Sequence, residues 1–118
     1  MKTVRFYEHG GPEVLQVEDV AEPQPRVGEI LVSVEAAGVN FTDIGSRRGK
    51  ALRAPVSFPY TPGVEIAGTV VGVGEGVSRF KTGDRVLALI PHGGYSEAIA
   101  VPEVLAVGIP ADTIVTAC

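Results

Sequence analysis

Cysteine is nearly absent from the 118 residues: Cys118, at the last position, is the only one. That excludes a disulfide framework and any paired-cysteine metal or redox motif, and it fits a reducing compartment. Histidine is as scarce. His9 and His92 each stand in a His-Gly-Gly turn far apart in sequence, whereas a zinc site needs three or four convergent nitrogen or sulfur ligands. Both are expected to be surface turn residues, and no metal is expected. The opening Met1-Lys2-Thr3-Val4-Arg5 lacks the apolar stretch of a signal peptide, and no segment approaches the ~20 apolar residues of a spanning helix. A soluble, cytoplasmic protein without a membrane partner is expected. Ten basic residues stand against fourteen acidic ones, a net charge of −4, with no long run of either sign, which argues against a nucleic-acid partner.

What the chain does have is the size of one domain, alternating apolar residues, and many turns. Ile30, Val32, Val34 and Ala36 share one face while Leu31, Ser33 and Glu35 take the other, the alternation of a half-buried strand over 29 to 37. The same reading covers 2 to 7, 14 to 19, 64 to 73, 84 to 90 and 95 to 102, each bounded by glycine or proline. Six strands with turns this close predict a mainly β sandwich or partly open barrel. A short helix is expected over 41 to 48, stopped by Gly49. A second helix is expected to begin at Pro110-Ala111-Asp112, with Asp112 as a candidate N-cap.

Two glycine-rich stretches resemble chemical motifs and fail their requirements. Gly72-Val73-Gly74-Glu75-Gly76 is similar to a phosphate-cradling loop, but turn-then-strand follows it where a helix N-terminus is needed, so it is read as a hairpin loop. Gly94-Tyr95-Ser96-Glu97-Ala98 is similar to a nucleophile elbow, which needs a strand-to-helix turn and a histidine. The alternation after it predicts a strand, so Ser96 is read as structural.

Three polar residues remain. Asn40 and Asp43 follow the strongest strand at an i, i+3 spacing that lets them share a face, although helix capping by Asn40 is the commoner role for asparagine there. Glu65 places a carboxylate in an apolar strand, where it must be hydrogen-bonded or paired and could serve the fold as easily as chemistry.

In order along the chain stand Gly10-Gly11-Pro12-Glu13-Val14-Leu15, Gly28-Glu29-Ile30-Leu31-Val32, Ala37-Gly38-Val39-Asn40-Phe41-Thr42-Asp43, Pro59-Tyr60-Thr61-Pro62-Gly63-Val64-Glu65-Ile66-Ala67-Gly68, Val73-Gly74-Glu75-Gly76-Val77, Phe80-Lys81-Thr82-Gly83-Asp84-Arg85-Val86 and Gly94-Tyr95-Ser96-Glu97. This ordered set resembles the N-terminal, GroES-like domain of the medium-chain dehydrogenase/reductase superfamily, in its zinc-independent quinone oxidoreductase (zeta-crystallin-like) branch. The resemblance implies a GroES-like, partly open β-barrel over 1–110 with a short helix after the third strand. It implies that 111–118 begin a crossover helix, and that the Rossmann domain that would follow is missing.

The resemblance also carries the functional expectation. Zinc alcohol dehydrogenases have a cysteine ligand at the position of Asn40 and a histidine ligand at that of Val64, so the resemblance implies no zinc. Hydride transfer from NADPH to a small quinone or enone is then implied, with Asn40 and Asp43 as catalytic and cofactor-binding residues beside the nicotinamide and Glu65 as a support of the cleft. The family's usual tyrosines are replaced by Gly45 and Ala51. The 118-residue chain alone is expected to be inactive, needing a Rossmann-domain partner. The alternative is a non-catalytic GroES-like module for binding or self-association, such as a homo-oligomer.

Overall fold

Seven strands and one α-helix make up the computed structural model, which describes residues 1–50 and 56–113. Strands β1 (Lys2–Arg5) and β2 (Gln16–Asp19) pair antiparallel as a small sheet. The main sheet has the order β6-β3-β4-β5-β7. It is built from β3 (Glu29–Ala37), β4 (Glu65–Val73), β5 (Arg85–Leu89), β6 (Ala98–Pro102) and β7 (Ala106–Gly108). Every neighbouring pair in it is antiparallel. The expected mainly β architecture with one short helix after the third strand is what the chain forms, as two open sheets.

Alternation explains the main sheet. Ile30, Val32, Ile66, Val70, Val86, Ala88, Val101 and Ala106 are buried together with Ile90 on one side, and each fully buried aliphatic side chain of this size contributes about 1.5–3 kcal/mol. The other side stays open on three adjacent strands, where Val71, Val73, Leu87, Leu89 and Val107 are exposed. The β3–β4 register shifts leave one extra residue in each strand, Val71 in β4 and Glu35 in β3, as bulges that bend a strand do.

The small sheet is strapped to the main one through the loops before β4 and β6. Phe6 and Tyr60 exchange two backbone hydrogen bonds of 3.0 Å, the Val4 N–H donates to the Tyr95 carbonyl at 2.9 Å, and the Glu97 N–H donates to Lys2 at 3.0 Å. Thr3 and Ser96 share a 2.7 Å hydroxyl contact. Ser96 is therefore a strap between sheets, in line with its structural reading.

Helix α1 (Phe41–Arg48) has the span expected from sequence. Gly49 ends it in the left-handed region, φ +80°, a conformation that costs glycine little. Arg47 and Arg48 occupy its last turn, where positive charge suits the helix dipole. His9 is exposed yet engaged: its Nδ1 lies 3.1 Å from the Ser46 carbonyl and 3.3 Å from that of Arg47, so this turn histidine closes the helix C-terminus.

Two differences from the sequence reading have plain causes. β7 was not anticipated, because three residues after a 3-10 turn (Glu103–Leu105) carry no measurable alternation. Strands also begin later than expected, at Gln16, Glu65 and Ala98, since the preceding residues bond to loops instead of ladders. The 72–76 stretch ends β4 and starts the loop to β5, and it is tied to the entry of β3, with the Gly74 N–H donating to the Glu29 carbonyl and the Gly28 N–H to that of Glu75. The second helix was expected over 111–118 from Pro110-Ala111-Asp112; its first residues instead form a turn, in which the Thr113 N–H donates to the Pro110 carbonyl, and 114–118 lie outside the described residues. Arg85 pins that turn, donating to the carbonyls of Ala111 (3.1 Å) and Thr113 and to the Glu35 carboxylate at 2.8 Å. Among the described residues no helix is long and apolar enough to cross a membrane.

Candidate active site

The end of β3 delivers Gly38, Val39 and Asn40 to the start of α1, and Asp43 lies in the first turn of that helix. Asn40 is the N-cap residue, with extended backbone (φ −128°, ψ 159°). The cap runs backward, because the Asn40 N–H donates to Asp43 Oδ2 at 2.9 Å. Asp43 thus supplies the acceptor side of a capping box and satisfies a donor at the chain's entry to the helix.

Asp43 does more than cap. Only 7% exposed, it also accepts the Gly63 N–H on Oδ1 at 3.0 Å and the Tyr95 hydroxyl on Oδ2 at 2.7 Å. Three donors from three separate segments therefore converge on one buried carboxylate, as desolvation of a charged group requires. Burial, reinforced by the Asp43 hydrogen bond, pushes the Tyr95 hydroxyl well above the usual phenol range, so it remains a donor at neutral pH. Gly63 has φ +105°, and a Cβ there would lie 2.8 Å from Gly94 Cα and from the Tyr95 ring. The sequence supplies glycine where the 60s and 90s loops touch.

Asn40 itself is differently placed. Its carboxamide nitrogen is buried and has no hydrogen-bond partner among the described residues. On either side of it Val39 is 79% and Phe41 91% exposed. The result is an unpaired donor on an apolar lip, and an unsatisfied buried donor costs about 1–3 kcal/mol unless something accepts from it.

Glu65 opens β4, opposite Leu89, instead of lying within an apolar strand. It is half-buried, and its carboxylate has no hydrogen bond or ion pair among the described residues. The Gly38 N–H donates to the Glu65 carbonyl at 3.1 Å, and a methyl group at Gly38 would overlap the Glu65 carboxylate. The expectation that this carboxylate must be paired is thus corrected: at the strand's end, water reaches it. Asn40, Asp43 and Glu65 are accordingly gathered around one turn. Gly45 lies in α1 with the Lys50 carbonyl 3.3 Å from where a Cβ would stand; Ala51 is outside the described residues.

Tyr95 is the member of this site that sequence reasoning missed. It lies 52 positions from its partner Asp43, and nothing in the local alternation marks it. An open groove of about 250 Å³ touches Tyr95 but none of Asn40, Asp43 and Glu65. Among the described residues no three His, Cys, Asp or Glu side chains gather into a group that could hold a metal ion.

Comparison with known proteins gives this arrangement its context. The family model for the alcohol dehydrogenase GroES-like domain matches residues 26–111. The chain belongs to this family. Quinone oxidoreductase of Rattus norvegicus is 46% identical over 99 residues, 82% of this chain and 30% of the relative. Among solved structures, Escherichia coli quinone oxidoreductase complexed with NADPH superimposes with a TM-score of 0.90 at 38% identity, covering 97% of this chain and 35% of that one. The human synaptic vesicle membrane protein VAT-1 homolog-like protein gives 0.92 at 32% identity, over 97% and 37%. These similarities set this GroES-like domain in the quinone oxidoreductase branch of its superfamily. The chain spans about a third of the length of these relatives.

Proposed function

We propose that this domain forms the substrate-side wall of a cleft in which NADPH reduces a small quinone or enone. The observation that carries the reading is the unpaired Asn40 carboxamide nitrogen on the lip made by Val39 and Phe41. A donor in that setting suits a carbonyl oxygen attached to a flat, apolar ring, which a nicotinamide carboxamide and a quinone both present. The residues therefore fit the cofactor that the E. coli relative's structure contains.

In this reading Asn40 donates to the ligand's carbonyl and fixes its orientation. Asp43 accepts from Gly63, Asn40 and Tyr95, so it holds the turn and does not exchange protons with the reactants. Val39 and Phe41 exclude water from the ring, and Glu65, resting against Gly38, supports the turn from behind. NADPH, when bound, supplies the hydride. Correct placement alone can lower such a barrier substantially. Zinc has no assigned role in this scheme.

Calorimetric titration of NADPH into the purified chain, alongside Asn40→Ala, tests the reading. Binding that Asn40→Ala weakens or abolishes is expected. Binding that Asn40→Ala leaves unchanged would remove Asn40 from the site.

A second reading has its own support. The exposed row of Val71, Val73, Leu87, Leu89 and Val107 is an apolar surface of the kind that often marks association, which favours a self-associating or binding module. Sedimentation that stays monomeric at high concentration argues against it.

A further inference from the structure

We infer that Tyr95 is a positioning residue for Asn40, acting through the Asp43 carboxylate. This rests on the reading of Asn40 as a ligand-binding group and extends it to a side chain that touches no ligand.

The argument begins with the three donors on Asp43. Two are backbone N–H groups, of Asn40 and Gly63, and the third is the Tyr95 hydroxyl. Tyr95 therefore supplies the side-chain contact that orients the carboxylate. It shares Oδ2 with the Asn40 N–H, so the direction of that oxygen, and with it the posture of residue 40, is set jointly by the phenol and the N-cap. Arg47, one turn further along α1, forms no ion pair with Asp43 among the described residues, and so offers no substitute.

Tyr95 is itself held firmly enough to act as a reference point. Its N–H donates to the Pro62 carbonyl at 3.0 Å, and its carbonyl accepts from Val4 N–H at 2.9 Å and from the Thr3 hydroxyl at 3.3 Å. The ring packs directly on Gly63, where no side chain intervenes. The hydroxyl thus reports the position of the β1 and 60s segments to the helix start. Because the phenol stays protonated, this contact persists across the neutral range. With Oδ2 occupied by both donors, the Asn40 carboxamide nitrogen has no partner among the described residues and is left to meet a ligand.

The test is amide hydrogen exchange and side-chain NMR on the 118-residue chain. Tyr95→Phe removes one oxygen and leaves the ring, so the fold is expected to persist. Exchange at the Asn40 and Gly63 amides should accelerate about tenfold, and the Asn40 carboxamide resonances should move, while amides in β3 keep their rates. Asp43→Asn, which keeps the shape and weakens the acceptor, should reproduce the pattern. Ser96→Ala, which loosens the same loop at Thr3 without touching Asp43, should not.

Unchanged Asn40 signals in Tyr95→Phe would overturn the inference. Uniform acceleration across β3 as well would also overturn it, since Tyr95 would then be a general support. The reading of Asn40 fails separately: if NADPH added to the wild-type chain moves distant signals and not those of Asn40, that reading is wrong even where Tyr95 governs the Asn40 amide.

Discussion

Asp43 and Glu65 stand on two sides of one turn, and the fold treats these carboxylates in opposite ways. Asp43 is buried and takes hydrogen bonds from Asn40, Gly63 and Tyr95, while Glu65 is half-buried, lies against Gly38, and has no such partner among the described residues. A charge removed from water must be met by donors, whereas one left at a strand's end is met by solvent. The first arrangement makes a rigid back to the site, and the second leaves an adjustable side. Asn40 joins the two, with its backbone bonded to the back and its carboxamide nitrogen unpaired among the described residues.

The comparison breaks most visibly at Asp43. Asp43→Ala strands three donors, and at roughly 1 kcal/mol or more for each it should lower stability by about 3 kcal/mol, which is on the order of ten degrees in melting temperature for a domain of this size. Differential scanning calorimetry checks this; a loss under about 1 kcal/mol would mean that the clamp is ornamental.

Alkaline pH probes the same clamp more gently. The Tyr95 hydroxyl is held above its ordinary value of 10.0 in the fold, so above that pH the unfolded chain releases this proton while the native chain keeps it. The native state then binds more protons than the unfolded one, and stability falls as pH rises. Wild type should therefore lose stability between pH 10 and 11, by about tenfold less in folding equilibrium constant per pH unit at most. Tyr95→Phe should lose less over the same interval, measured by denaturant titration at each pH.

Smaller effects belong to the Glu65 side. Gly38→Ala should cost about 1–2 kcal/mol, because the Glu65 side chain must turn away from Cγ outward to make room, and Glu65→Ala in the same chain should recover most of it. A loss of several kcal/mol that Glu65→Ala does not relieve would show the turn to be as rigid as the Asp43 clamp. Least affected should be Glu65→Gln, within about 0.5 kcal/mol of wild type in chemical denaturation.

The division between clamp and lip also marks what the sequence could reveal. β3 spans 29 to 37 as its alternation predicts, and α1 ends where Gly49 permits a left-handed turn. Asn40 and Asp43 were legible because they are three residues apart at a helix start. Their division of labour was not: the further donors that tie down the Asp43 carboxylate come from Gly63 and Tyr95, brought in by loops 20 and 52 positions away from Asp43. Glu65 read as interior because it adjoins Ile66, yet its place at the first position of β4 leaves its carboxylate in contact with solvent. β7 escaped notice because its three residues owe their pairing to β5 and to no pattern of their own.

The reach of the Asp43 contacts bears on how the chain acquires its site. Helix α1 can nucleate from neighbouring residues, but its carboxylate finds the Tyr95 phenol only after β4, β5 and the loop beyond them have come into place. Contacts closed over such distances carry a large loop entropy and tend to form slowly. A nascent chain that has not yet reached residue 95 cannot hold the finished clamp, so competence of this site should arrive as one of the last events of folding.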